Sequence, residues 1–204
     1  RSGRVTGVQT CALPISDISG LGAHVAVDFI DAGAKKFQQL ADDLGGSGKI
    51  GMMYGPLGHS AQIAITSGYE LIMPSYPNIE VVIDGSGDWV SEKGMEVAEN
   101  WLSSGIELDA IICNNDGMAL GVRNALVAAG MAGQIKLYGL DAEPEVLRAI
   151  KSGEMTGTIK LDGYAEAVKA VDTIVTLATG GTIADKIINI PTIVVTSANV
   201  DQFL

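Results

Sequence analysis

The fold is decided by residues 110–121, which read Ala110-Ile111-Ile112-Cys113-Asn114-Asn115-Asp116-Gly117-Met118-Ala119-Leu120-Gly121. The first four residues form a continuous apolar run, which is typical of a strand buried on both faces of a parallel sheet. The run ends in two carboxamides and a carboxylate, and a helical pattern follows. Polar groups at the carboxyl end of such a strand lie where open α/β sheets bind ligands. The stretch therefore predicts a small-molecule site on an α/β sheet.

The same pattern recurs along the chain. Residues 136–141, KLYGLD, form a second apolar run that ends in a carboxylate. Other strand-like runs alternate with helical patterns, and Gly105, Gly130 and Gly153 follow three helical patterns as stops. This alternation predicts an α/β fold with a doubly wound parallel sheet. The predicted strands are 24–27, 49–53, 80–83, 110–113, 136–140, 156–160 and 190–195, and the predicted helices are 32–44, 61–73, 90–104, 118–129, 143–151 and 164–179.

Polar and aromatic side chains follow the predicted strands on their carboxyl side. His59 follows the second strand, Trp89 the third, Asn115 the fourth and Asp141 the fifth, while Lys160 closes the sixth. Since parallel strands end at one edge of the sheet, these side chains are expected to converge on one ligand site. A carboxylate accepts hydrogen bonds from neighbouring hydroxyls, and a carboxamide both donates and accepts. An aromatic face stacks on the C–H face of a sugar ring.

Each of these residues also has a purely structural interpretation. Asn115, Asp116 and Asp141 stand before helical patterns and could be helix N-caps. Trp89 could pack as a staple onto the helix that follows it. His59 could be an ordinary loop residue. What favours a site is the repetition of carboxamide and carboxylate at neighbouring strand ends.

Composition and spacing argue against several other functions. The formal net charge is −11, which argues against a nucleic-acid surface. His24 and His59 lack metal-ligand spacing, so no metal is expected. The glycine pattern at 46–51 precedes a strand instead of following one, so no dinucleotide or other cofactor is expected. Ser60 lacks the sequence of a nucleophile elbow and is expected to cap the next helix.

The first sixteen residues are expected to be foreign to the protein. Residues 5–15, VTGVQTCALPI, read as a translated sequencing-library adaptor, so residues 1–16 are set aside as a non-native segment. The alternative is a natural disordered arm. Setting the segment aside leaves Cys113, which is interpreted as a small hydrophobe of a buried strand. The native chain would then begin near Asp17, in mid-protein, so the lack of a signal peptide carries no information about compartment.

Three motifs at matching spacing carry a resemblance to a known family. They are NNDGMALG at 114–121, YGLDAEP at 138–144 and IKSGEMTGTI at 150–159. With these motifs the chain, from Asp28 to its end, resembles the type I periplasmic binding proteins of the ribose/galactose class, which are solute receptors of ABC sugar importers. The resemblance implies that Asn115 and Asp141 bind ligand hydroxyls and that Trp89 replaces a stacking Phe.

Two departures from the family pattern point away from ribose. The family often carries an Arg in the helix before its Gly-Phe pair, whereas residues 63–65, before the Gly-Tyr pair at 68–69, are Ile, Ala and Ile. The family often ends its Thr-Ile strand with a pocket Gln, whereas Leu161 stands here, between Lys160 and Asp162. The resemblance thus implies a less polar or differently shaped sugar or polyol.

The resemblance also implies two lobes joined by three crossovers, with the ligand between the lobes. By this likeness most of the first lobe lies upstream of the chain, which carries half of the site. The expected organisation is residues 1–16 as the non-native segment, 17–28 as a remnant of the N-terminal lobe and first crossover, 29–160 as the C-terminal ligand-binding lobe, 161–185 as a helix returning to the N-terminal lobe, and 186–204 as the third crossover and tail.

The expected function is that of an extracytoplasmic solute receptor without catalysis. Its expected partners are a sugar or polyol and ABC permease subunits, at the periplasm or the outer face of the membrane, with membrane attachment only through a lipid anchor upstream. An alternative is the effector-binding domain of a lactose-repressor-type regulator, which shares this fold and carries a helix-turn-helix upstream. A third alternative, an α/β enzyme, has no nucleophile–base pair in its support.

Overall fold

A computed structural model describes residues 20–204, so the prediction about residues 1–16 lies outside the described part. Strands and helices alternate, as the sequence predicts. The strands are β1 His24–Val27, β2 Ser47–Tyr54, β3 Asn78–Ser86, β4 Ala110–Cys113, β5 Lys136–Tyr138, β6 Gly157–Lys160, β7 Ile187–Ile190 and β8 Ile193–Thr196. The helices are α1 Phe29–Asp43, α2 Ser60–Ile72, α3 Ser91–Ser103, α4 Asp116–Ala128, α5 Pro144–Ser152 and α6 Gly163–Ala178, with 3-10 turns at Met73–Ser75 and Val200–Gln202.

A six-stranded sheet forms the body of the molecule. Its strand order is β3-β2-β4-β5-β6-β8, in which the first five strands are parallel and β8 runs antiparallel to β6. The chain moves from β2 to one side at β3 and then to the other side at β4. This reversal of direction places a topological switch point between β2 and β4. The predicted doubly wound α/β fold is confirmed.

Both faces of the six-stranded sheet are covered by helices. On one face, α1 and α2 contribute Phe37, Leu40, Ile65 and Tyr69 to a buried cluster with the sheet. On the other face, α3, α4 and α5 bury a second cluster, with Trp101, Met118, Val122, Leu126, Val146 and Ile150 among its members. Burial on both faces explains the continuous apolar run of β4, all four residues of which are buried.

A separate two-stranded sheet pairs β1 with β7 in parallel, and α6 packs on it. The prediction of one strand over 190–195 is wrong here. That stretch contains the end of β7 and the start of β8, which belong to different sheets. Pro191 lies between the two strands, and proline cannot donate a backbone hydrogen bond to a sheet.

Helix termini follow the expected side-chain rules with one correction. Asn115 is the N-cap of α4, its side chain accepting from the amide of Met118 at 3.0 Å. Gly153 ends α5 in the left-handed conformation at φ 83°. The N-cap of α2 is His59 and not Ser60, which is the first residue of the helix. The ring nitrogen Nδ1 of His59 accepts from the amide of Ala61 at 3.2 Å.

Candidate functional site

The carboxyl edge of the six-stranded sheet brings the predicted site residues together. The five parallel strands end at this edge, and the loops after β2 to β5, together with the end of β6, carry one predicted residue each. The residues are His59, Trp89, Asn115, Asp141 and Lys160. Their placement agrees with the expectation of convergence, whereas their role in ligand binding remains a prediction.

Trp89, in the loop between β3 and α3, is half-buried at the carboxyl edge. Its ring meets the ring of His59 edge-on, with 5.6 Å between the centroids. The indole also lies so close to Gly55 that a Cβ there would approach the ring to 2.3 Å. Trp89 lies in the loop before α3 and also packs against both core clusters. One aromatic face is therefore fixed at the switch point.

Two consecutive asparagines at the end of β4 have different tasks. Asn114 is buried, and its side chain accepts from the amide of Gly55 at 3.1 Å and donates to the hydroxyl of Tyr69 at 3.2 Å. Asn115 is half-buried, caps α4 and places its amide nitrogen 3.5 Å from the carbonyl oxygen of Trp89. Asn114 thus joins β2, β4 and α2, while Asn115 faces the edge beside Trp89. The cap interpretation of Asn115 is correct and coexists with its position at the edge.

Asp141 lies one strand further along, where β5 has already ended. Its amide donates to the carbonyl of Ile159 at 2.8 Å, and it forms an isolated parallel bridge with Lys160. The ammonium of Lys160 is 3.6 Å from a carboxylate oxygen of Asp162, which caps α6. The amide of Asp116 donates to the carbonyl of Leu140 at 2.8 Å, and this bond joins the loop after β4 to the loop after β5.

The backbone at this edge adopts conformations that side chains rarely tolerate. Among residues 20–204, the non-glycine residues with positive φ are Asp88 at 50°, Trp89 at 66°, Asp141 at 137° and Ala142 at 62°. All four are in the two loops that carry Trp89 and Asp141. Such conformations cost about 1–3 kcal/mol each and persist where the surroundings hold them, typically at ligand sites. Their confinement to these loops is an independent mark of a site.

A buried carboxylate, Asp116, supports the loop of Asp141 from below. It is fully buried, accepting from the hydroxyl of Thr158 at 2.7 Å and from the amide of Glu143 at 2.8 Å. Burial raises the pKa of Asp116 to about 6. Burial also raises the pKa of Asp141 to about 7, and the neighbouring Asp116 carboxylate adds to this effect. The two carboxyls therefore titrate near neutral pH.

One charged residue at this edge was not found from the sequence. Lys36 of α1 is 1% exposed, and its ammonium donates to the carbonyl of Cys113 at 2.5 Å and lies 5.5 Å from the centre of the Tyr69 ring. Lysines at such helical positions usually extend into solvent. A weak signal exists in the sequence, because Lys36 shares the helix face of Ala32, Leu40 and Phe37, which are apolar.

The arrangement suits recognition of hydroxyl groups. It offers a carboxylate, a carboxamide, an ammonium and an aromatic ring at one edge of a rigid sheet. Within residues 20–204 no group of three or more potential metal ligands occurs. In the same part of the chain we also find no helix long and apolar enough to cross a membrane.

Residues 19–182 match a family model described as the periplasmic binding protein domain. The chain belongs to this family. The resemblance noted from the motifs is thereby confirmed.

Curated relatives with similar sequences are named as binding proteins. The xylitol-binding protein of Mycolicibacterium smegmatis is 36% identical over 76% of this chain and 44% of its own length. A putative rhizopine-binding protein of Rhizobium meliloti is 32% identical over 89% of this chain and 59% of its own length. The D-allose-binding periplasmic protein of Escherichia coli is 32% identical over 67% of this chain and 44% of its own length. The chain thus spans about half the length of these relatives.

Solved structures of the same type superpose well on the chain. An ABC transporter solute-binding protein from Bacillus halodurans with bound myo-inositol matches with a TM-score of 0.82 and 36% identity, over 89% of this chain and 63% of that chain. The binding protein of the arabinose ABC transporter from Shewanella matches with a TM-score of 0.86 and 29% identity, over 94% of this chain and 64% of that chain. These names favour the receptor interpretation over the repressor-domain alternative.

Proposed function

We propose that the protein is an extracytoplasmic receptor that binds a sugar or polyol and delivers it to an ABC importer. The observation that carries the proposal is the carboxyl edge of the sheet, where Trp89 and Asn115 adjoin beside the switch point and Asp141 follows one strand further along, in a fold used by solute receptors. The sheet supplies no catalytic step in this scheme. Its task is to hold hydrogen-bonding groups and an aromatic face in fixed positions.

The ligand class follows from the chemistry of the edge. An ionised Asp141 accepts from two neighbouring hydroxyls, and the amide of Asn115 both donates and accepts. Trp89 offers its ring to the C–H face of a cyclic ligand. The relatives and solved structures named for xylitol, myo-inositol and D-allose support a polyol or aldose. Lys160 and His59 stand at the margins of this edge, where they would contact ligand oxygens.

Residues 29–160 would form the second of two lobes, with the ligand between them. The six-stranded sheet with both faces covered supports this division, as does the separation of β1 and β7 into another sheet. Residues 17–28, 161–185 and 186–204 would then be the crossovers and the parts that return to the other lobe. A single lobe supplies half of the hydrogen bonds and does not exclude water by closing. We therefore expect this chain alone to bind ligand weakly.

The test is calorimetric titration of two proteins, this chain and a longer chain that includes its native upstream coding sequence. The ligands are xylitol, myo-inositol, D-allose, D-ribose and L-arabinose. We expect at least one ligand to bind the longer protein and none to bind this chain with comparable affinity. Failure of the longer, folded protein to bind any of the five would overturn the assignment to this ligand class.

The role of Asp141 is tested in the longer protein by Asp141→Ala. Losing a charge-assisted hydrogen bond and leaving ligand hydroxyls unpaired costs roughly 2–4 kcal/mol, about a 30- to 1000-fold loss of affinity. The matched control is Asp109→Ala, because Asp109 lies just before β4 at the opposite, amino edge, where it accepts from the amide of Lys49 at 2.7 Å. Unchanged affinity in Asp141→Ala would show that Asp141 shapes its loop and does not bind the ligand.

A further inference from the structure

The loop between β3 and α3 carries Trp89 in a turn that a tryptophan rarely adopts. The amide of Val90 donates to the carbonyl of Gly87 at 2.8 Å and closes this turn. Its two central residues, Asp88 and Trp89, have φ values of 50° and 66°. Positive φ at both central residues is typical of a type I′ turn, where Asn and Gly are preferred because larger side chains are strained there. A tryptophan at such a position indicates that the placement of its indole outweighs the local strain.

The indole of Trp89 lies against the bare Cα of Gly55, just beyond the end of β2. A Cβ at Gly55 would lie 2.3, 2.4 and 2.5 Å from the consecutive ring atoms Cζ2, Cη2 and Cε2, of which Cζ2 is the middle one. A point beside the ring and in its plane cannot be nearly equidistant from three consecutive atoms at so short a range, so this point is over the face of the ring. Gly55 therefore covers one face of the six-membered ring, and a ligand can meet that ring only from the opposite face.

The backbone conformation of Gly55 does not itself require glycine. Its φ is outside the positive region, so a side chain would not strain the backbone there. The residue is buried, its amide donates to the side chain of Asn114 at 3.1 Å, and its carbonyl oxygen lies 3.0 Å from the hydroxyl of Ser86. These contacts leave the backbone of Gly55 little freedom to move away from the ring. Glycine is needed here because the indole occupies the space of a side chain.

The turn that carries the indole is also held from its other side. The hydroxyl of Ser86 lies 2.7 Å from one carboxylate oxygen of Asp88, and the ammonium of Lys93 pairs with the other oxygen. The ring of His59 stands nearly perpendicular to the indole of Trp89, at 84°, with 5.6 Å between the centroids. The indole is therefore held in one position before any ligand arrives.

We propose that Gly55 is a positioning residue of the ligand site, whose bare Cα supports one face of the Trp89 indole and sets where the opposite face meets the C–H face of a ligand. A Cβ at Gly55 would push the indole away from the end of β2, because the backbone of Gly55 is held and the half-buried ring on its loop is the part that can move. The inference rests on the proposed function for the ligand, and on the structure alone for the contact between Gly55 and Trp89.

The contact is tested by NMR in this chain without any ligand. Protons over the face of an aromatic ring are shifted upfield by the ring current. The Hα resonances of Gly55 should therefore lie further upfield in the unaltered chain than in Trp89→Ala, and they should show nuclear Overhauser effects to the indole protons. Gly55→Ala should displace the indole, and the ring-proton resonances of His59 should shift as a result.

A matched control is Gly51→Ala, because Gly51 of β2 also lies against a tryptophan. A Cβ at Gly51 would approach Cζ3 of Trp101 to 2.8 Å, and Trp101 belongs to the buried core. This variant places the same methyl group against the other indole and should leave the His59 resonances unchanged. Equal changes at His59 in both glycine variants would reflect a general disturbance of β2 and would overturn the proposal.

Two further outcomes would also overturn it. Hα resonances of Gly55 that do not respond to Trp89→Ala would show that the ring does not lie over this residue. If Gly55→Ala does not fold, the double variant Gly55→Ala, Trp89→Ala should fold, since no ring remains to collide with the methyl group. A double variant that also fails to fold would show that glycine is required for another reason.

Calorimetric titration of the longer protein with the five ligands named above gives the second readout. Gly55→Ala should weaken binding roughly 3- to 10-fold, as expected for the loss of one aromatic contact. In the Trp89→Ala background the same substitution should change affinity by no more than about twofold, because it acts only through the indole. Unchanged affinity in Gly55→Ala, or an equal loss in both backgrounds, would refute the positioning role. Failure of the longer protein to bind any of the five would refute the proposed function and leave the contact in this chain intact.

Discussion

The helices on the six-stranded sheet and helix α6 on the two-stranded sheet are packed to different degrees. Between α1 and α2, and between α3 and α4, glycines let the backbones touch. A Cβ at Gly68 would lie 2.2 Å from the carbonyl oxygen of Ile30, and one at Gly121 would lie 2.0 Å from that of Ser91. In α6 only Ala170 and Thr173 are buried.

The apolar face of α6 is left open to solvent. Val168, Val171 and Val175 are 43%, 58% and 55% exposed, and Tyr164 is 82% exposed. In the proposed organisation residues 161–185 carry a helix that returns to the other lobe, and that lobe would cover this face. The helices of the six-stranded sheet therefore bury their apolar faces within the chain, whereas α6 leaves its apolar face free to contact another surface. An exposed patch of this kind is typical of an interface.

The largest expected effect concerns the close helix contacts. Gly121→Ala forces a methyl group against the backbone of α3, at 2.0 Å from Ser91 O and 2.7 Å from Met95 N. Neither atom can rotate away, so we expect a loss of about 3 kcal/mol in the free energy of unfolding. The control, Gly163→Ala at the start of α6, meets nothing within 4 Å and should change stability by less than about 1 kcal/mol. Urea unfolding measures both, and equal effects would refute the contrast in packing.

A second, smaller effect concerns the exposed valines. Hydrogen exchange should be roughly tenfold or more faster in α6 than in α4, because few buried contacts protect the helix. Light scattering should show self-association of this chain through the stripe. The double variant Val171→Glu, Val175→Glu should remove it. Val127→Glu, at a valine of α4 that is 47% exposed, should not remove it. A monodisperse chain with α6 as well protected as α4 would contradict the contrast.

A third effect of about 1 kcal/mol is expected at the carboxyl edge of the body. The pKa of Asp141 rises from 3.8 to about 7 on folding, so its contribution to stability is present below pH 4 and is lost as the pH rises through 7. Asp141→Asn removes the ionisable group, so the variant should not lose stability in this way as the pH rises. We expect the variant to gain about 1 kcal/mol over the unaltered chain at pH 8, a value reduced for partial solvent screening, and almost nothing at pH 4. Denaturant unfolding at both pH values measures it, and parallel curves would show that Asp141 is not desolvated.

The architecture of the body was predictable because its signals are local. The apolar run of β4 and the carboxamides after it follow directly from burial on both faces and from the carboxyl-edge rule. The same reasoning located Trp89, Asn115 and Asp141 at one edge. It failed at 190–195, where two strands of different sheets adjoin and the apolar run continues across Pro191. Sheet membership is a long-range property, which hydrophobic periodicity does not encode.

The supporting charges of the site were beyond prediction for a related reason. Asp116 reads as an ordinary first-turn acid of α4, and its hydrogen-bond partners Thr158 of β6 and Glu143 of the loop before α5 are distant in sequence. Lys36 lies 77 residues before its partner Cys113. Lys36 lies among apolar residues of α1, but this pattern predicts a buried lysine only when that face of the helix is known to pack on the sheet. Predicting the buried charges that support the site therefore requires the three-dimensional packing. The residues at strand ends can be predicted from the strand pattern alone.

The smallest expected effect, none at all, tests whether residues 1–16 contribute to either region. These residues show no periodic apolar face, and the family match begins at residue 19. If these residues are foreign to the protein, as their sequence predicts, their removal should leave the thermal midpoint unchanged and should not alter hydrogen exchange in α6. A midpoint lower by several degrees, or faster exchange confined to α6, would show that the segment packs on the exposed valines. The open face of α6 would then be covered in part by the chain's own first residues, and the contrast with the body would narrow accordingly.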